Sequence, residues 1–393
     1  MSYSGIDFWA RLDMTHRILF ISKFPPMQGG VASRTYWLAE GLARYGHSVH
    51  VITHAPDAAP QYSCLPDTAA ELSSVNIAVH TESEATPWHI PDAPERTLTM
   101  LNLGMRVVDT ESIDVIDTGY LVPYGVVGHL LKQSRGIPHV VRHGGSDIVK
   151  FLDKDLLAAP LADTLRSADA VVTDSLHSGR LSRFRQDAIV LPAYVPPDAF
   201  KPPTERGDRP IRVAYIGKVN YHREYKGLDR IASIMLSLSA DTERIFMAQG
   251  AGLDRFQATL GHEAASSIKW RPFIHPSRMP GLLASIDALF VFESSLPHPD
   301  YSNLVAEALC SGVGIVTDRA DLADTYADAV VPAEGQILAV LEKDSPAASA
   351  RRITSWLQEC RRSPAFQPTR RASFAEYICA NEAVYDAVAA IHC

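Results

Sequence analysis

Residues 17–55 read RILFISKFPPMQGGVASRTYWLAEGLARYGHSVHVITHA, and the order of patterns within them decides the fold. RILFIS (17–22) is a short apolar run rich in β-branched and aromatic types, which reads as a buried strand. KFPPMQGG (23–30) is a loop, and the next segment places Val31, Tyr36, Leu38 and Leu42 at helical spacing. Gly46 is positioned to end that helix, and HSVHVITHA (47–55) is the following strand. Strand, helix and strand in this order make the unit of a parallel sheet covered by helices. The same alternation recurs at IDVIDTGY (113–120), PHVVRHGG (138–145) and ADAVVTDS (168–175).

The pattern breaks at YVPPDAFKPPTERGDRP (194–210), where five prolines in seventeen residues continue neither a helix nor a central strand. This stretch reads as an interdomain linker. Strand and helix signals then restart at IRVAYIG (211–217), a helix around 228–239, RIFMAQG (244–250), SIKWRPF (267–273), ALFVFES (288–294) and GVGIVTD (312–318). Two α/β units joined by a Pro-rich segment are the expected architecture, and 393 residues are enough for each to bury its own core. The last stretch, FAEYICANEAVYDAVAAI (374–391), puts Phe374, Tyr377, Ile378, Val384, Tyr385 and Val388 on one helical face. It packs either on its own domain or back across the first.

Composition narrows the function classes. With 46% apolar and 21% charged residues the chain is globular, and a net charge of -8 opposes nonspecific binding to nucleic acid. No apolar run reaches the ~18–20 residues that span a bilayer, although contact with a membrane surface stays open. The opening segment MSYSGIDFWARLDMTHR lacks the basic and apolar regions of a secretory signal. Five scattered cysteines form no Cys-x-x-Cys or Cys/His cluster, so neither a zinc site nor a disulfide framework is expected and a cytoplasmic setting is the natural reading.

Four constellations can carry chemistry. Gly29 and Gly30 lie between the first strand and helix, where unpaired N–H groups and a partial positive charge favour phosphate and glycine admits close approach. Taken alone they read by default as a plain tight turn, because neither G-x-G-x-x-G nor a phosphate loop is present. Gly217-Lys218 and Lys226-Gly227 follow the first strand of the second unit, where ligands bind in open parallel sheets and where lysines can neutralise a leaving diphosphate. With Arg223 and Glu224 between them, they also read as a solvated charge cluster. In HPDYSNLVAEALCSG (298–312), Glu307 sits inside a small-residue helix that starts near Ser302-Asn303. That carboxylate can accept two hydroxyls, as from a ribose, or serve as a buried structural group. Finally, Arg142-His143-Gly144-Gly145-Ser146-Asp147 follows a strand, and His143 is placed either to touch a substrate or to belong to a turn capped by Ser146 or Asp147.

In this order the four features resemble glycosyltransferase family 4, the "group 1" GT-B transferases, over nearly the whole chain from Ile18 to the last helix. The likeness includes the strand-PP-x-x-GGV entry, the His-Gly loop, SADAVVTDS, the VPPDAFKP linker, the G-K…K-G pair and the N-x-V-x-E-A-x-x-x-G helix. The resemblance implies two Rossmann-like domains, 1–195 on the acceptor side and 205–375 on the donor side, facing across a cleft, with residues 376–393 crossing back to the first. It implies a retaining, metal-independent transfer of a sugar from a nucleotide diphosphate to an unidentified hydroxyl acceptor, with no cofactor. By the same resemblance Gly29, Gly30 and Gly217 would approach the donor diphosphate, and Lys218 and Lys226 would bind it. Ser302, Asn303 and Leu304 would line phosphate and sugar, Glu307 would hold the ribose, and Arg271 and Phe273 would lie beside the base. His143 would contact the transferred sugar.

Three positions depart from the family pattern. Pro299 stands eight residues before Glu307, where the family has a glutamate, and Asp300, the nearest carboxylate, is the candidate to take its catalytic place if the loop is re-registered. The basic pair is Lys/Lys rather than Arg/Lys, so Arg223 in the intervening loop is a candidate helper because a lysine makes no bidentate fork. His143 is followed by two glycines rather than one. The displaced carboxylate leaves two alternatives open, a catalytically silent nucleotide-sugar binder and a GT-B pseudo-transferase or epimerase. Asp153-Lys154-Asp155 has the form of a metal-binding Asp-x-Asp, but follows a helix and reads as a solvated turn. The acceptor is expected in the first domain, near residues 55–100 and 118–128, where Tyr120 and Tyr124 are candidate walls.

Overall fold

The computed structural model describes residues 15–55, 76–82, 94–152, 154–204, 209–220, 226–293, 295, 301–362 and 365–392. Seven parallel strands form the first sheet: β1 (Arg17–Ser22), β2 (Ser48–Ile52), β3 (Ile77–His80), β4 (Val115–Gly119), β5 (His139–Arg142), β6 (Ala170–Thr173) and β7 (Ile189–Val190). Their spatial order is β3-β2-β1-β4-β5-β6-β7. A second parallel sheet contains β8 (Arg212–Lys218), β9 (Glu243–Gln249), β10 (Lys269–Arg271), β11 (Ala288–Val291) and β12 (Gly314–Thr317). Between β12 and the end of the chain come β13 (Val330–Val331), β14 (Ile337–Ala339) and β15 (Thr369–Arg370). The second sheet is ordered β10-β9-β8-β11-β12-β14, while β13 and β15 pair antiparallel apart from it. Both sheets therefore reverse direction beside their first strand, the doubly wound order that opens a crevice at the strands' carboxyl ends.

The central strands are apolar throughout, as a sheet covered on both faces requires: Ile18, Leu19 and Ile21 of β1 are fully buried, as are Leu289 of β11 and Ile315 and Val316 of β12. The sequence pattern locates these strands well. It misses the half-buried edge strand β3, and SIKWRPF (267–273) yields only the three residues of β10.

Helix α1 (Gly30–Arg44) is buried around most of its circumference because three elements press on it. Its inner face lies on the first sheet, and its start meets α2 (Asn303–Cys310) of the second unit. Its end meets α3 (Phe374–His392), where a Cβ on Gly41 would fall 2.4 Å from the Ile378 side chain. The glycine lets the two helices touch. Residues 194–200 run between the units with Tyr194, Val195 and Phe200 buried in a cluster that draws apolar side chains from both. Arg370 holds this passage by donating to the carbonyls of Pro196, Pro197 and Phe200.

Helix α3 crosses back onto the first unit and is fastened there by polar groups. Tyr385 donates to Asp117 Oδ2 at 2.8 Å, and Arg142 Nε donates to the same oxygen at 2.7 Å. Asp117 is fully buried in β4, where water does not reach it, and these two donors satisfy its Oδ2. At the rim, His16 meets Asp386 and His47 meets Glu382, each at 2.8 Å. Among the described residues no helix is long and apolar enough to cross a membrane. Replacing Tyr385 by Phe removes one hydrogen bond to a buried charge and is expected to cost about 2 kcal/mol. Urea denaturation checks this, and an unchanged midpoint would mean that the hydroxyl does not secure α3.

Candidate active site

In the second unit the sheet reverses between β8 and β11, so the crevice opens beyond Lys218 and Val291. Gly227, in the left-handed region with φ 56°, starts the helix Leu228–Leu236, and a Cβ there would press within 3.0 Å of Phe292. That tight turn carries Lys226 to the crevice. Facing it from the first unit is the start of α1, whose N-cap Gly29 has φ 144°, a conformation strained for any residue with a Cβ. A Cβ on Gly29 would lie 3.7 Å from Lys218 Nζ. An ammonium group and the positive end of a 15-residue helix thus converge on one point.

The two units enclose a cavity of about 400 Å³ there. It is lined by Gly29 and Gly30 from one side and by Gly217, Lys218, Lys226 and Phe273 from the other, with Ser302, Asn303, Leu304 and Glu307 along α2. Ten of the residues singled out from the sequence are brought together in this way. Arg223 and Asp300 lie outside the described residues, as does Asp153, whereas Asp155 simply opens the helix Asp155–Ser167. Arg271 lines a neighbouring cavity with Arg278 and Leu282, which shares only Met247 and Ile274 with the main cleft.

Direct bonds close the cleft at its base. Asn303 Nδ2 donates to the Gly30 carbonyl at 2.7 Å. Glu307 Oε1 accepts from Tyr194 at 3.0 Å and from Ser33 at 3.3 Å, so this carboxyl joins α2, the crossing segment and α1. Tyr301 donates to the Tyr194 carbonyl at 2.9 Å, and the Ser302 N–H donates to Tyr326 Oη at 3.1 Å. Glu307 is only 3% exposed, and burial pushes its pKa up to about 8 against the pull of the Tyr194 and Ser33 hydroxyls. Ser33, Tyr194, Tyr301 and Tyr326 were not anticipated. Ser33 alone had a usable signal, one helical turn beyond Gly29-Gly30 on the same face.

His143 lies elsewhere. It is buried at the end of β5 and lines a small cavity inside the first unit with Arg34, Asp117 and Arg142. The Gly145 N–H donates to its Nδ1 at 3.2 Å, so Nε2 carries the proton and bonds Thr173 Oγ1 at 2.9 Å. Burial pushes this imidazole down to about 3, with Asp174 opposing and His177 adding to the fall, and it is therefore neutral. Asp147 organises the same loop by accepting from the N–H groups of Leu121, Gly144 and Ile148. His143, Asp174 and His177 also come together with the spacing of metal ligands. The second histidine already bonds Asp174 Oδ1 through Nδ1 at 2.7 Å, and Arg34 and Arg142 stand beside the group. This cluster reads as a hydrogen-bonded support for the loop.

The fold has counterparts among known proteins. Residues 29–191 match the family described as "Glycosyl transferase 4-like domain". An uncharacterized glycosyltransferase of Methanocaldococcus jannaschii is 24% identical over 131 residues, 33% of this chain and 32% of that protein, so the match spans about a third of the relative's length. Among solved structures, sucrose-phosphate synthase from Thermosynechococcus elongatus superposes with a TM-score of 0.60 at 16% identity, covering 96% of this chain and 95% of that one. HepE of Anabaena, solved in complex with UDP-glucose, superposes with a TM-score of 0.59 at 13% identity over 96% and 99%. The match over residues 29–191 is thus to a glycosyltransferase 4-like domain, and the chain as a whole shares its two-sheet GT-B fold with solved glycosyltransferases.

Proposed function

We propose that this protein transfers a sugar from a nucleotide diphosphate to a hydroxyl acceptor, with retention of configuration at the anomeric carbon. The observation that carries this reading is one cavity in which the start of α1, Lys218, Lys226 and the buried Glu307 all converge. The diphosphate lies against the Gly29-Gly30 backbone and the two lysines, whose charges serve in place of a metal ion. The nucleoside ribose reaches the Glu307 carboxyl, the base packs by Phe273, and the sugar lies along Ser302, Asn303 and Leu304. A UDP-sugar is the first donor to try, because the superposing HepE was solved with UDP-glucose.

In the transfer, the bond between the anomeric carbon and the diphosphate oxygen breaks, and its electron pair stays on the diphosphate. The acceptor oxygen bonds the same face of the sugar, and its proton passes to the departing diphosphate oxygen. The protein's share is to hold the two reactants together and to meet the growing charge with prearranged donors. His143 is assigned here to positioning the loop 142–147, since both its ring nitrogens are bonded within the protein.

Lys226→Ala is expected to raise the barrier by ~2–4 kcal/mol while leaving the fold intact. Turnover of radiolabelled nucleotide sugars, including their slow hydrolysis, measures this, and near-normal kinetics would remove Lys226 from the chemistry. Glu307 offers a check that needs no substrate. Its raised pKa contributes stability that is present below the unfolded value of 4.5 and is lost as pH rises towards about 8. Wild type should lose on the order of 3–5 kcal/mol across that window, and Glu307→Gln should flatten the profile. Parallel profiles for the two proteins would show that Glu307 is ionised and well solvated in the folded state.

A further inference from the structure

The first sheet has its own crevice, where the strand order reverses between β1 and β4. A second cavity, of about 340 Å³, opens there, within the size range of small-molecule sites. Its walls come from the residues that follow each strand: Lys23 after β1, His54 after β2, Tyr120 after β4 and Ser146 after β5. Arg96 and Lys150 complete them. We propose that the acceptor carries a phosphate group and that Lys23, Arg96 and Lys150 hold that group in this pocket. The inference rests on the transferase reading above and names the class of its second substrate.

Three features support it. Three of the described lining residues are cationic and none is acidic. Asp147, the carboxylate that acts on Lys23, is spent on three backbone N–H groups within the wall. Burial pushes Lys23 down to about 8, with Asp147 opposing and the positive Lys150 adding to the fall, so an anion bound in the pocket favours the charged form of Lys23.

The donors are also arranged in sequence. Arg96, 1% exposed, donates to His54 Nδ1 at 2.5 Å, so His54 donates from Nε2 to Tyr124 Oη at 2.6 Å. Tyr120 and Ser146 share a hydrogen bond of 3.0 Å, and Lys23 Nζ lies 4.8 Å from the Tyr120 ring centre. A single carboxylate matches one cation, whereas a phosphate monoester brings a charge of about −1.5 to −2 and three acceptor oxygens. The faces of Tyr120, Tyr124 and Phe151 supply apolar walls for the ring that bears it.

Position ties the pocket to the donor. The loop 23–30 borders this cavity at Lys23 and the donor cleft at Met27–Gly30. Gly144 is pressed between Tyr120 and Val31, so that a Cβ would meet them at 2.6 and 2.9 Å. The wall of one cavity thus touches the first turn of the helix that opens on the other.

The test begins by saturating the donor cleft with whichever of UDP, GDP, ADP or TDP raises the melting temperature. Inorganic phosphate and a hexose phosphate are then titrated by calorimetry into wild type, Lys150→Gln, Lys23→Met and Lys343→Ala, the last an exposed lysine that lines neither cavity. Binding that weakens about tenfold in the first two variants, and not in Lys343→Ala, is the expected result. Lys150 is exposed, which keeps that variant informative if Lys23→Met folds poorly. Absence of phosphate binding, or binding equally strong in all four proteins, overturns the pocket while leaving the donor reading intact. Failure of every nucleotide to stabilise the protein counts against the donor reading instead. Flotation with vesicles containing phosphatidic acid separates the sources of the phosphate. Vesicle binding that needs Lys150 indicates a lipid, and hexose phosphate binding alone indicates a soluble acceptor.

Discussion

Glu307 and Asn303 project from the start of α2 into the first turns of α1, and the placement of the cleft depends on what they meet there. Asn303 bonds the Gly30 carbonyl, while one oxygen of Glu307 takes hydrogen bonds from Ser33 and Tyr194. Two sheets with matching strand order do not by themselves form a site between them, because each opens its own crevice. These bonds bring the two crevices to a common wall. At the start of α1, Gly29 holds a φ of 144° that is strained for any residue with a Cβ, which accounts for glycine at this point facing Lys218.

A buried carboxyl is a costly device, and its environment shows how the cost is contained. Burial favours the neutral acid, which both donates and accepts hydrogen bonds, whereas the ionised form only accepts. The same economy is applied at Asp117 in the first unit, where Arg142 and Tyr385 share one carboxylate oxygen and the last helix is locked across the sheet. In both places a polar group ties a helix from one end of the chain to a strand or helix from the other. The hydrophobic cluster that spans the two units supplies most of the area, and the polar pairs set the register.

The sequence revealed the two sheets because their central strands are continuous apolar runs, and it singled out residues that meet in one cavity because glycines and lysines at strand ends face the crevice of a parallel sheet. It could not reveal Tyr194, whose segment looked like a proline-rich hinge but is buried against Glu307. Nor could it separate Phe273, which lines the cleft, from Arg271, two residues away and turned towards a different cavity. His143 had the right neighbours for a substrate contact, yet its partners Thr173 and Gly145 are a strand away and a turn away. Lys23 stood alone after a strand with no motif around it, and only the fold gathers it with Arg96 and Lys150. Local pattern shows where backbone can approach a ligand; which side chains converge there is set by packing between distant segments.

The central claim is that a nucleotide diphosphate sugar binds in the cavity between the units, against α1 and the two lysines. The most direct measurement is a thermal-shift titration of UDP-, GDP-, ADP- and TDP-sugars with wild type and with Lys218→Ala. The account expects one base to raise the melting temperature in a saturable way, with the rise largely lost in the variant. It is contradicted if no nucleotide sugar shifts the transition, or if the shift is the same in both proteins.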